Sequence, residues 1–268
     1  MAPDYIPAER RELIYKLLSE RGLVTVSELK ALLKVSEITV RRDLDILEGR
    51  GFLERTHGGA ISTRRMKTEP VYAQKDQSER EGKVAIGRAA AALVQEGDTV
   101  LVNSGSTSLQ VIRHILTPGV RIVTSNVGAV LEAGRSEIET ILVGGVYRPQ
   151  SNSLVGGFAS LALQQVYGSK AIIGVDGISF KYGLTTPIHQ EAEVAAAMIQ
   201  RTRGQVIVVA DHTKIGVVSN FVTAQIDEVD VLVTDEDLDP EYRSEFEGAG
   251  VKIVVASLLS AETEKRRE

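Results

Sequence analysis

The sequence predicts an α/β domain with a largely parallel, Rossmann-like sheet, preceded by a small domain of three short helices and a hairpin. In the first 63 residues, apolar side chains recur at helical spacing in three stretches, and glycine-rich turns follow them. From residue 81 onward, short apolar runs alternate with helical stretches, which is typical of a parallel sheet covered by helices. We therefore predict a first domain over residues 1–63, a linker over 64–80 and a second domain over 81–268.

The helices of the first domain have their own start and stop signals. The first helix is predicted from Pro7 to Glu20, and a β-prone run from Val24 to Val26 follows it. Ser27 is the expected N-cap of a second short helix. Ser36 is the expected N-cap of a third helix, which reaches Glu48 and places its apolar residues on one face.

A small hairpin is predicted after the third helix. One strand runs from Phe52 to Arg55, and the turn follows from His57 to Gly59. Three short helices followed by a hairpin form the outline of a winged helix-turn-helix domain, in which the helix after the turn enters the DNA major groove.

The third helix and the hairpin, or wing, carry residue types that fit DNA. Arginines suit bidentate contacts to guanine edges or phosphates, a helix N-terminus favours phosphate, and glycine lets the backbone approach a DNA strand. Residues 55–68 contain no acidic side chain, and residues 1–67 carry a net charge of +3 against −8 for the remainder. A helical protein-docking module and a solvated linker are the alternatives. The residues predicted to contact DNA are Ser36, Thr39, Arg41, Arg42, Arg55, His57 and Gly58.

The second domain is predicted to contain seven strands and several helices. An alanine-rich helix from Lys83 to Val94 comes first, and helices from Ser106 to Leu116 and from Glu191 to Arg201 separate later strands. The predicted strands are Thr99 to Val102, Arg121 to Thr124, Thr140 to Val143, Ala171 to Val175, Gln205 to Ala210, Val229 to Thr234 and Val251 to Val255.

Polar residues and glycines follow several of these strands, where an open parallel sheet binds its ligands. The turn from Asn103 to Ser108 combines hydroxyl groups, Gly105 and a helix N-terminus, which suits a phosphate. Lys214 can reach an anion, and carboxylates can accept hydrogen bonds from sugar hydroxyls. Ordinary turns, helix caps and an Asp211–Lys214 pair are the alternatives. The residues predicted to bind an effector are Ser104, Gly105, Ser106, Thr107, Ser125, Asn126, Arg148, Asp176, Glu191 and Lys214.

The composition excludes several chemistries. The 268 residues include no cysteine and 4 scattered histidines, which excludes disulfides, thiolate zinc sites, iron–sulfur clusters and cysteine nucleophiles. No apolar run approaches the ~18 residues of a membrane helix, and the first residues lack a signal-peptide pattern, so we expect a cytoplasmic protein with no membrane partner. No G-x-G-x-x-G motif follows a strand, which argues against a nicotinamide-sensing regulator. We predict no cofactor and no metal.

Short motifs run through both predicted domains. They are Val35-Ser36, Thr39 to Leu44, Gly51, Arg55 to Ala60, Ser104 to Thr107, Gly144-Gly145, Asp176 to Ile178 and Asp211 to Lys214. With these motifs, the chain resembles the DeoR family of bacterial transcription regulators along nearly its whole length. The resemblance implies an N-terminal winged helix-turn-helix and a C-terminal effector domain similar to ribose-5-phosphate isomerase. It also implies a repressor that phosphorylated sugars relieve, as many members of the family are.

The similarity to the isomerase extends to individual residues. It implies that residues 105–107 match the end of the enzyme's phosphate loop and that Asp176-Gly177 matches the start of its acidic loop. It also implies that Glu191 matches the catalytic base, and that Asp211 and Lys214 match a later Asp/Lys pair.

Two departures from the isomerase pattern stand out. Ile178-Ser179-Phe180 replaces the Ala-Asp-Glu that continues the enzyme's acidic loop, and Lys181-Tyr182-Gly183 is what remains of its Lys-Gly-Gly-Gly loop. Isomerisation needs a positioned base and a stabilised enediolate. We therefore expect ligand binding without turnover and no catalytic residue.

These observations together predict a DNA-binding transcriptional regulator, a repressor of sugar-metabolism genes whose operator affinity is controlled by a phosphorylated sugar. The expected partners are a double-stranded DNA operator, the sugar phosphate and further copies of the chain. A homodimer or homotetramer is expected because two winged domains must match operator half-sites. The alternative is a sugar-phosphate isomerase-like enzyme with a DNA-binding appendage, which would interconvert ribose and ribulose 5-phosphates.

Overall fold

The computed structural model of the protein describes residues 6–21, 23–50, 52–55, 58–62, 64–65, 79–133 and 138–258. Its elements form a small N-terminal unit and a larger α/β unit, which confirms the predicted fold class. Across the described ranges, no helix combines the length and the apolar character that a membrane span requires.

The N-terminal unit consists of three helices and a three-stranded antiparallel sheet. Its elements are α1 (Pro7–Arg21), β1 (Leu23–Thr25), α2 (Val26–Leu33), α3 (Glu37–Gly49), β2 (Leu53–Arg55) and β3 (Gly59–Ser62). The strand order is β1-β3-β2, so the predicted two-stranded wing gains β1 as a third strand. Gly59 allows this pairing, because a Cβ atom at this position would lie 2.1 Å from the carbonyl oxygen of Val24.

The start of α2 differs from the prediction. The prediction that Ser27 is the N-cap is wrong, because Thr25 caps the helix. The Thr25 hydroxyl accepts a hydrogen bond from the Glu28 N–H at 3.2 Å, and the Glu28 carboxylate accepts one from the Thr25 N–H at 3.0 Å. Val26, predicted to end the β-prone run, is the first helical residue. Ser36 caps α3 as predicted and accepts a hydrogen bond from the Thr39 N–H at 3.2 Å.

The core of the small unit fixes α3. Val40, Leu44 and Leu47 are buried on its inner face. Beside them, Arg10 Nε of α1 lies 2.5 Å from Asp43 Oδ2 of α3, and both side chains are almost completely buried. Because loss of either partner would leave a buried charge, this ion pair holds α1 against α3.

The larger unit is built on a seven-stranded sheet in which every neighbouring pair is parallel. Its strands are β5 (Thr99–Val102), β6 (Arg121–Thr124), β7 (Glu139–Leu142), β10 (Gly168–Gly174), β13 (Thr202–Val209), β16 (Val231–Asp235) and β17 (Lys252–Ala256). Their order is β17-β16-β13-β10-β5-β6-β7. All seven predicted strands are present. β10 and β13 begin before their apolar runs, because ladder hydrogen bonding continues into polar segments that hydropathy does not mark.

Helices cover both faces of this sheet. α4 (Arg80–Ala91), α5 (Ser106–His114) and the short α6 (Ala129–Ala133) pack on one face. α7 (Gly157–Gln164), α8 (His189–Gln200) and α9 (Pro240–Gly248) pack on the other face. The two buried apolar layers therefore leave the carboxyl ends of the strands as the open edge of the sheet.

Short strands surround the open edge, and the sequence analysis did not predict them. They are the pair β4 (Arg64–Arg65) and β14 (Val217–Val218), the hairpin β8 (Val146–Arg148) and β9 (Ser153–Val155), and the sheet β11 (Gly177–Ser179), β12 (Gly183–Thr186) and β15 (Phe221–Ala224). The parallel pair of β4 and β14 joins the two units. β4 lies inside the segment predicted as a linker, and the domain boundaries themselves stay a prediction.

Candidate ligand pocket and nucleic-acid interface

A pocket of about 700 Å³, which includes space open to solvent, lies at the carboxyl ends of β5 and β10. Its lining combines hydroxyls, two lysines and two carboxylates with only two apolar side chains, Val175 and Ala195, besides its glycines. The residues that line it are Lys83, Asn103, Ser104, Gly105, Ser106, Thr107, Ser108, Ser151, Gly174, Val175, Asp176, Thr185, Thr186, Glu191, Ala195, Lys214 and Thr223.

The loop between β5 and α5 forms one wall of the pocket. Gly105 has a φ of 139°, a backbone conformation that favours glycine, and α5 begins directly after it. Asn103 holds the loop to β10, because its Nδ2 donates to the Gly174 carbonyl at 2.8 Å and its Oδ1 accepts from the Gly174 N–H at 2.8 Å. Ser106 and Thr107 thus lie at a fixed helix N-terminus, and the positive end of a helix dipole suits an anion.

Two lysines approach this anion-binding wall from different elements. Lys83 belongs to α4 and is 3% exposed, although lysine is rarely so buried. Lys214 ends a short 3-10 helix, His212–Lys214, that follows β13. Both side chains line the same pocket, so the positive charge there comes from two separate parts of the chain.

Two carboxylates lie elsewhere in the lining. Asp176 follows β10, is almost completely buried, and accepts a hydrogen bond from the Thr186 hydroxyl at 3.0 Å. Glu191 Oε1, in the first turn of α8, accepts from the Ser153 hydroxyl at 3.1 Å and lies 3.4 Å from Arg148 Nε. These oxygens can accept hydrogen bonds from ligand hydroxyl groups.

The structure brings together most of the predicted effector-binding residues, but not all of them. Ser125, Asn126 and Arg148 do not line the pocket. Asn126 is fully buried, and its Nδ2 donates to the Gly105 carbonyl at 3.0 Å, so it supports the loop from behind. Arg148 lies 3.4 Å from Glu191, which does line the pocket. The predicted residues that do line the pocket are Ser104, Gly105, Ser106, Thr107, Asp176, Glu191 and Lys214.

Sequence reasoning missed Lys83, Ser151 and Thr185 as lining residues. A signal for Lys83 was present in the chain. It shares the buried face of α4 with Gly87 and Ala90, at positions i, i+4 and i+7. A lysine on the buried stripe of an amphipathic helix requires an anionic or polar partner. No comparable pattern marks Ser151. Thr185 belongs to the run from Gly183 to Pro187 that precedes Glu191, and this run was a sign of polar groups near the same sheet edge.

The predicted recognition helix α3 presents its arginines to solvent. Arg41 and Arg42 are exposed, and Arg41 Nη2 lies 2.7 Å from Glu37 Oε1 one turn earlier. Ser36 and Thr39 lie at the helix N-terminus, with their hydroxyl oxygens 2.8 Å apart. The first turns of the helix thus carry hydroxyl and guanidinium groups, which are the donor types that contact DNA.

The wing is attached to this helix by Arg55. Its guanidinium pairs with Asp45 of α3 and donates to the Arg41 carbonyl at 3.2 Å. Its backbone N–H donates to Glu48 Oε1 at 3.0 Å. Contact between the Arg55 side chain and DNA would therefore require exchange of these partners.

The wing turn contributes backbone to the same surface. Gly58 is exposed, and its carbonyl accepts a hydrogen bond from the Val26 N–H at 2.8 Å. A cleft between α2, the start of α3 and Gly58 is lined by Lys30, Lys34 and Arg41, among others. His57, the remaining residue predicted to contact DNA, lies outside the described residues.

One group of potential metal ligands is found among the described residues. Single ligand atoms of His212, Asp235 and Asp237 lie within 4.8 Å of one another. Internal hydrogen bonds already account for this geometry, because Asp235 accepts from the His212 backbone N–H and from the Asp237 N–H. The His212 ring also lies 3.1 Å from both Asp235 oxygens.

A winged helix-turn-helix joined to an α/β domain with a polar pocket defines the class of two-domain transcription regulators. Two family descriptions cover most of the chain, a DeoR-like helix-turn-helix domain over residues 10–66 and a DeoR C-terminal sensor domain over residues 78–236. The chain belongs to the DeoR family of transcriptional regulators.

Curated relatives agree with this assignment. The chain is 34% identical over 250 residues to the HTH-type transcriptional regulator GlpR of Haloferax volcanii, covering 93% of this chain and 98% of the relative. It is 32% identical over 248 residues to the HTH-type transcriptional repressor GlcR of Bacillus subtilis, covering 92% and 95%. Ribose 5-phosphate isomerase A of Methanocaldococcus jannaschii is a more distant structural neighbour, with a TM-score of 0.38 and 18% identity over 52% of this chain and 55% of that one.

Proposed function

We propose that the protein is a repressor of sugar-metabolism genes whose affinity for its operator is controlled by a phosphorylated sugar. The observation that carries this proposal is one pocket that contains a helix N-terminus with hydroxyl groups, two lysines and two carboxylates. A phosphate fits the first two features, and sugar hydroxyls fit the third. The pocket belongs to a chain that also carries a helix-turn-helix domain.

The phosphate is proposed to bind at the start of α5. Ser104, Gly105, Ser106 and Thr107 would supply backbone N–H and hydroxyl donors, and Lys214 would supply charge. Lys83 supports the same assignment, because it places a second positive charge in the lining of this pocket.

The sugar is proposed to extend from the phosphate toward Asp176 and Glu191. The bond between Asp176 and the Thr186 hydroxyl supports this direction, because it fixes one carboxylate at the pocket wall. Arg148 and Ser153 orient Glu191 in the same way. Asn126 would act indirectly, by supporting the Gly105 loop, whereas Ser125 lies beside it in sequence without lining the pocket.

DNA is proposed to bind across α3 and the wing, through Ser36, Thr39, Arg41, Arg42, Arg55, His57 and Gly58. The exposed arginines at the start of α3 support this docking. Two copies of the winged domain would contact two operator half-sites, so we propose a homodimer or homotetramer.

Control by the sugar phosphate requires two states of the protein. A ligand changes DNA affinity only if it binds one state more tightly than the other, and DNA must then change ligand affinity by the same factor. Turnover is not part of the proposal. The positions after Asp176-Gly177 hold Ile178 and Ser179, which are buried and offer no further carboxylate for proton transfer.

The proposal is tested by selecting genomic DNA fragments with the full-length protein at one fixed salt concentration, with and without a pool of sugar phosphates. We expect specific fragments that are lost when the pool is present. Selection of no specific fragment under either condition would refute DNA recognition. An assay for interconversion of ribose and ribulose 5-phosphates on the same protein then tests the alternative enzyme.

Thr107→Val tests the phosphate assignment within this scheme. The substitution keeps the shape of the side chain and removes the hydroxyl donor, so we expect DNA binding to persist while the response to the sugar phosphate weakens about tenfold. Fragment binding with and without the pool measures both properties. A response equal to that of the unaltered protein would remove Thr107 from the site.

A further inference from the structure

Two segments connect the pocket wall to the N-terminal unit. One is the hairpin of β11 and β12, which begins next to Asp176 and ends at Thr186, and the other is β14, which follows Lys214. The two segments are hydrogen bonded to each other, because the Gly216 N–H donates to the Ile178 carbonyl at 2.9 Å. We call residues 176–186 and 214–218 the bridging segments.

Side-chain and backbone packing makes the bridging segments one body. The Thr185 hydroxyl donates to the Gly177 carbonyl at 3.3 Å and accepts from the Ser219 N–H at 3.0 Å. A Cβ atom at Gly177 would lie 2.4 Å from the Val217 carbonyl oxygen, so the hairpin and β14 are in close contact there. A shift at the pocket end is therefore transmitted along the segments rather than absorbed.

The far ends of the bridging segments contact the winged domain. The Ser179 hydroxyl at the end of β11 donates a hydrogen bond to Glu54 Oε1 of β2, and both residues are almost completely buried. β14 pairs in parallel with β4, through Val217 with Arg64 and Val218 with Arg65. In the sequence, these contacts follow the pocket residues Asp176 and Lys214 within three or four positions.

Neighbouring residues of β2 link this contact to the recognition helix, because their side chains point to opposite faces of the strand. Successive side chains of a strand point to opposite faces. Glu54 points to Ser179 of the α/β unit, whereas its neighbour Arg55 points to Asp45 and the Arg41 carbonyl of α3. A movement of Glu54 relative to the α/β unit thus changes the position of the group that holds Arg41 and the wing together.

We infer that the contact between Glu54 and Ser179 is the docking point through which occupation of the pocket changes the position of the wing and of α3. The inference rests on the proposed function and adds to it the residues that couple the two sites. Glu54 and Ser179 are positioning residues here, since they face neither the pocket nor DNA. Removal of the contact should uncouple the two sites without removing either one.

The test uses two variants of the full-length protein, Ser179→Ala and Glu54→Ala. The control variant is Glu96→Gln, which changes an exposed residue outside the bridging segments and the wing. The affinity for one selected DNA fragment is measured with and without a pool of pentose and hexose phosphates. Allosteric factors are about 5–150 in typical proteins, and we expect both alanine variants to reduce the factor to within about twofold of unity. Each variant should still bind the sugar-phosphate pool and the fragment.

Amide hydrogen exchange supplies a readout that needs no ligand. In Ser179→Ala, we expect faster exchange both in residues 177–185 and in residues 53–55, whereas Glu96→Gln should leave both regions unchanged. Exchange changes confined to residues 177–185 would overturn the inference, as would a full allosteric factor in both alanine variants. If the unaltered protein does not respond to any sugar phosphate, the proposed function fails, and the exchange result still decides whether the docking contact joins the two units.

Discussion

Lys83 and Asp43 are both buried charged residues, one in the lining of the pocket and one in the core of the N-terminal unit. Asp43 is paired with Arg10 at 2.5 Å and therefore contributes to the fold of the winged domain. Lys83 is equally buried, but it lines the pocket in which we propose that the phosphate binds. The two buried charges therefore differ in their surroundings, since Asp43 lies in an ion pair and Lys83 lies in the lining of a pocket.

Lys83→Met is expected to weaken binding of a sugar phosphate. The substitution keeps an aliphatic chain of similar length and removes a charged hydrogen bond of about 1.5–3 kcal/mol, which corresponds to roughly ten- to a hundredfold in affinity. Titration calorimetry with the effective sugar phosphate measures this change. Lys252→Met, on the exposed start of β17, is the matched control. Equal affinity in both variants would contradict the role of Lys83.

Arg42→Ala is expected to weaken DNA binding while leaving ligand binding intact. Arg42 is exposed on α3, and the part of the chain that the structure describes contains no ion-pair partner for it. Loss of a base contact costs about 1–3 kcal/mol and relaxes specificity at one position, whereas loss of a phosphate contact lowers the salt dependence. Binding isotherms at several salt concentrations separate these cases. Arg243→Ala, on exposed α9, provides the comparison, and unchanged operator affinity in Arg42→Ala would contradict the docking of α3.

At the scale of elements, the sequence predicted the N-cap of α3 correctly and the N-cap of α2 wrongly. The first depends on a single side chain, whereas the second depends on where a neighbouring strand ends. Ser36 caps α3 because its hydroxyl is within reach of the Thr39 N–H. The choice between Thr25 and Ser27 is different, because either residue could cap a helix in isolation. Pairing of β1 with β3 ends the strand at Thr25 and so fixes the helix start.

Thr25→Ala is expected to destabilise the winged domain by about 1 kcal/mol, through loss of the capping box. Ser27→Ala is the matched control, because Ser27 is exposed and lies inside the helix. Chemical unfolding followed by circular dichroism compares the two variants. A larger effect of Ser27→Ala than of Thr25→Ala would contradict the observed cap.

At the scale of the whole molecule, two carboxyl groups near the contact between the two units have raised pKa values. Burial, with a smaller contribution from the negative charge of Glu245, raises the pKa of Glu54 to about 7, against the opposing effects of the Phe180 and Lys181 backbone and of the Lys181 charge. Burial, followed by the negative charge of Glu241, also raises the pKa of Glu245 to about 7. The interface therefore responds to pH near neutrality.

Protonation of Glu54 is expected to stabilise the folded protein. Because its pKa rises from 4.5 in an exposed state to about 7 here, the stabilisation is complete below pH 4.5 and is lost as the pH rises through about 7. Glu54→Gln is neutral at every pH and removes this dependence. We expect the melting temperature of the unaltered protein, relative to Glu54→Gln, to fall between pH 5 and pH 8. A flat or rising difference would contradict the assignment, and Glu96→Gln controls for a general charge effect.

The sequence by itself determined the two-domain plan, the seven parallel strands and the motifs at their ends. Hydrophobic periodicity, caps and glycine-bounded turns are local properties, so a linear reading detects them. The same reading found the Ser104 to Thr107 loop, Asp176, Glu191 and Lys214, because the carboxyl ends of parallel strands meet at one edge.

Only the tertiary structure decided which polar residues share the pocket and how the two units meet. Lys83 enters the pocket because α4 packs beside α5, with Gly87 against Gln110, and Asn126 is placed behind the loop instead of lining the pocket. The Ser179–Glu54 contact joins residues 125 positions apart. No local pattern encodes such a pair, because its energy depends on packing and burial that arise only when distant segments of the chain come together.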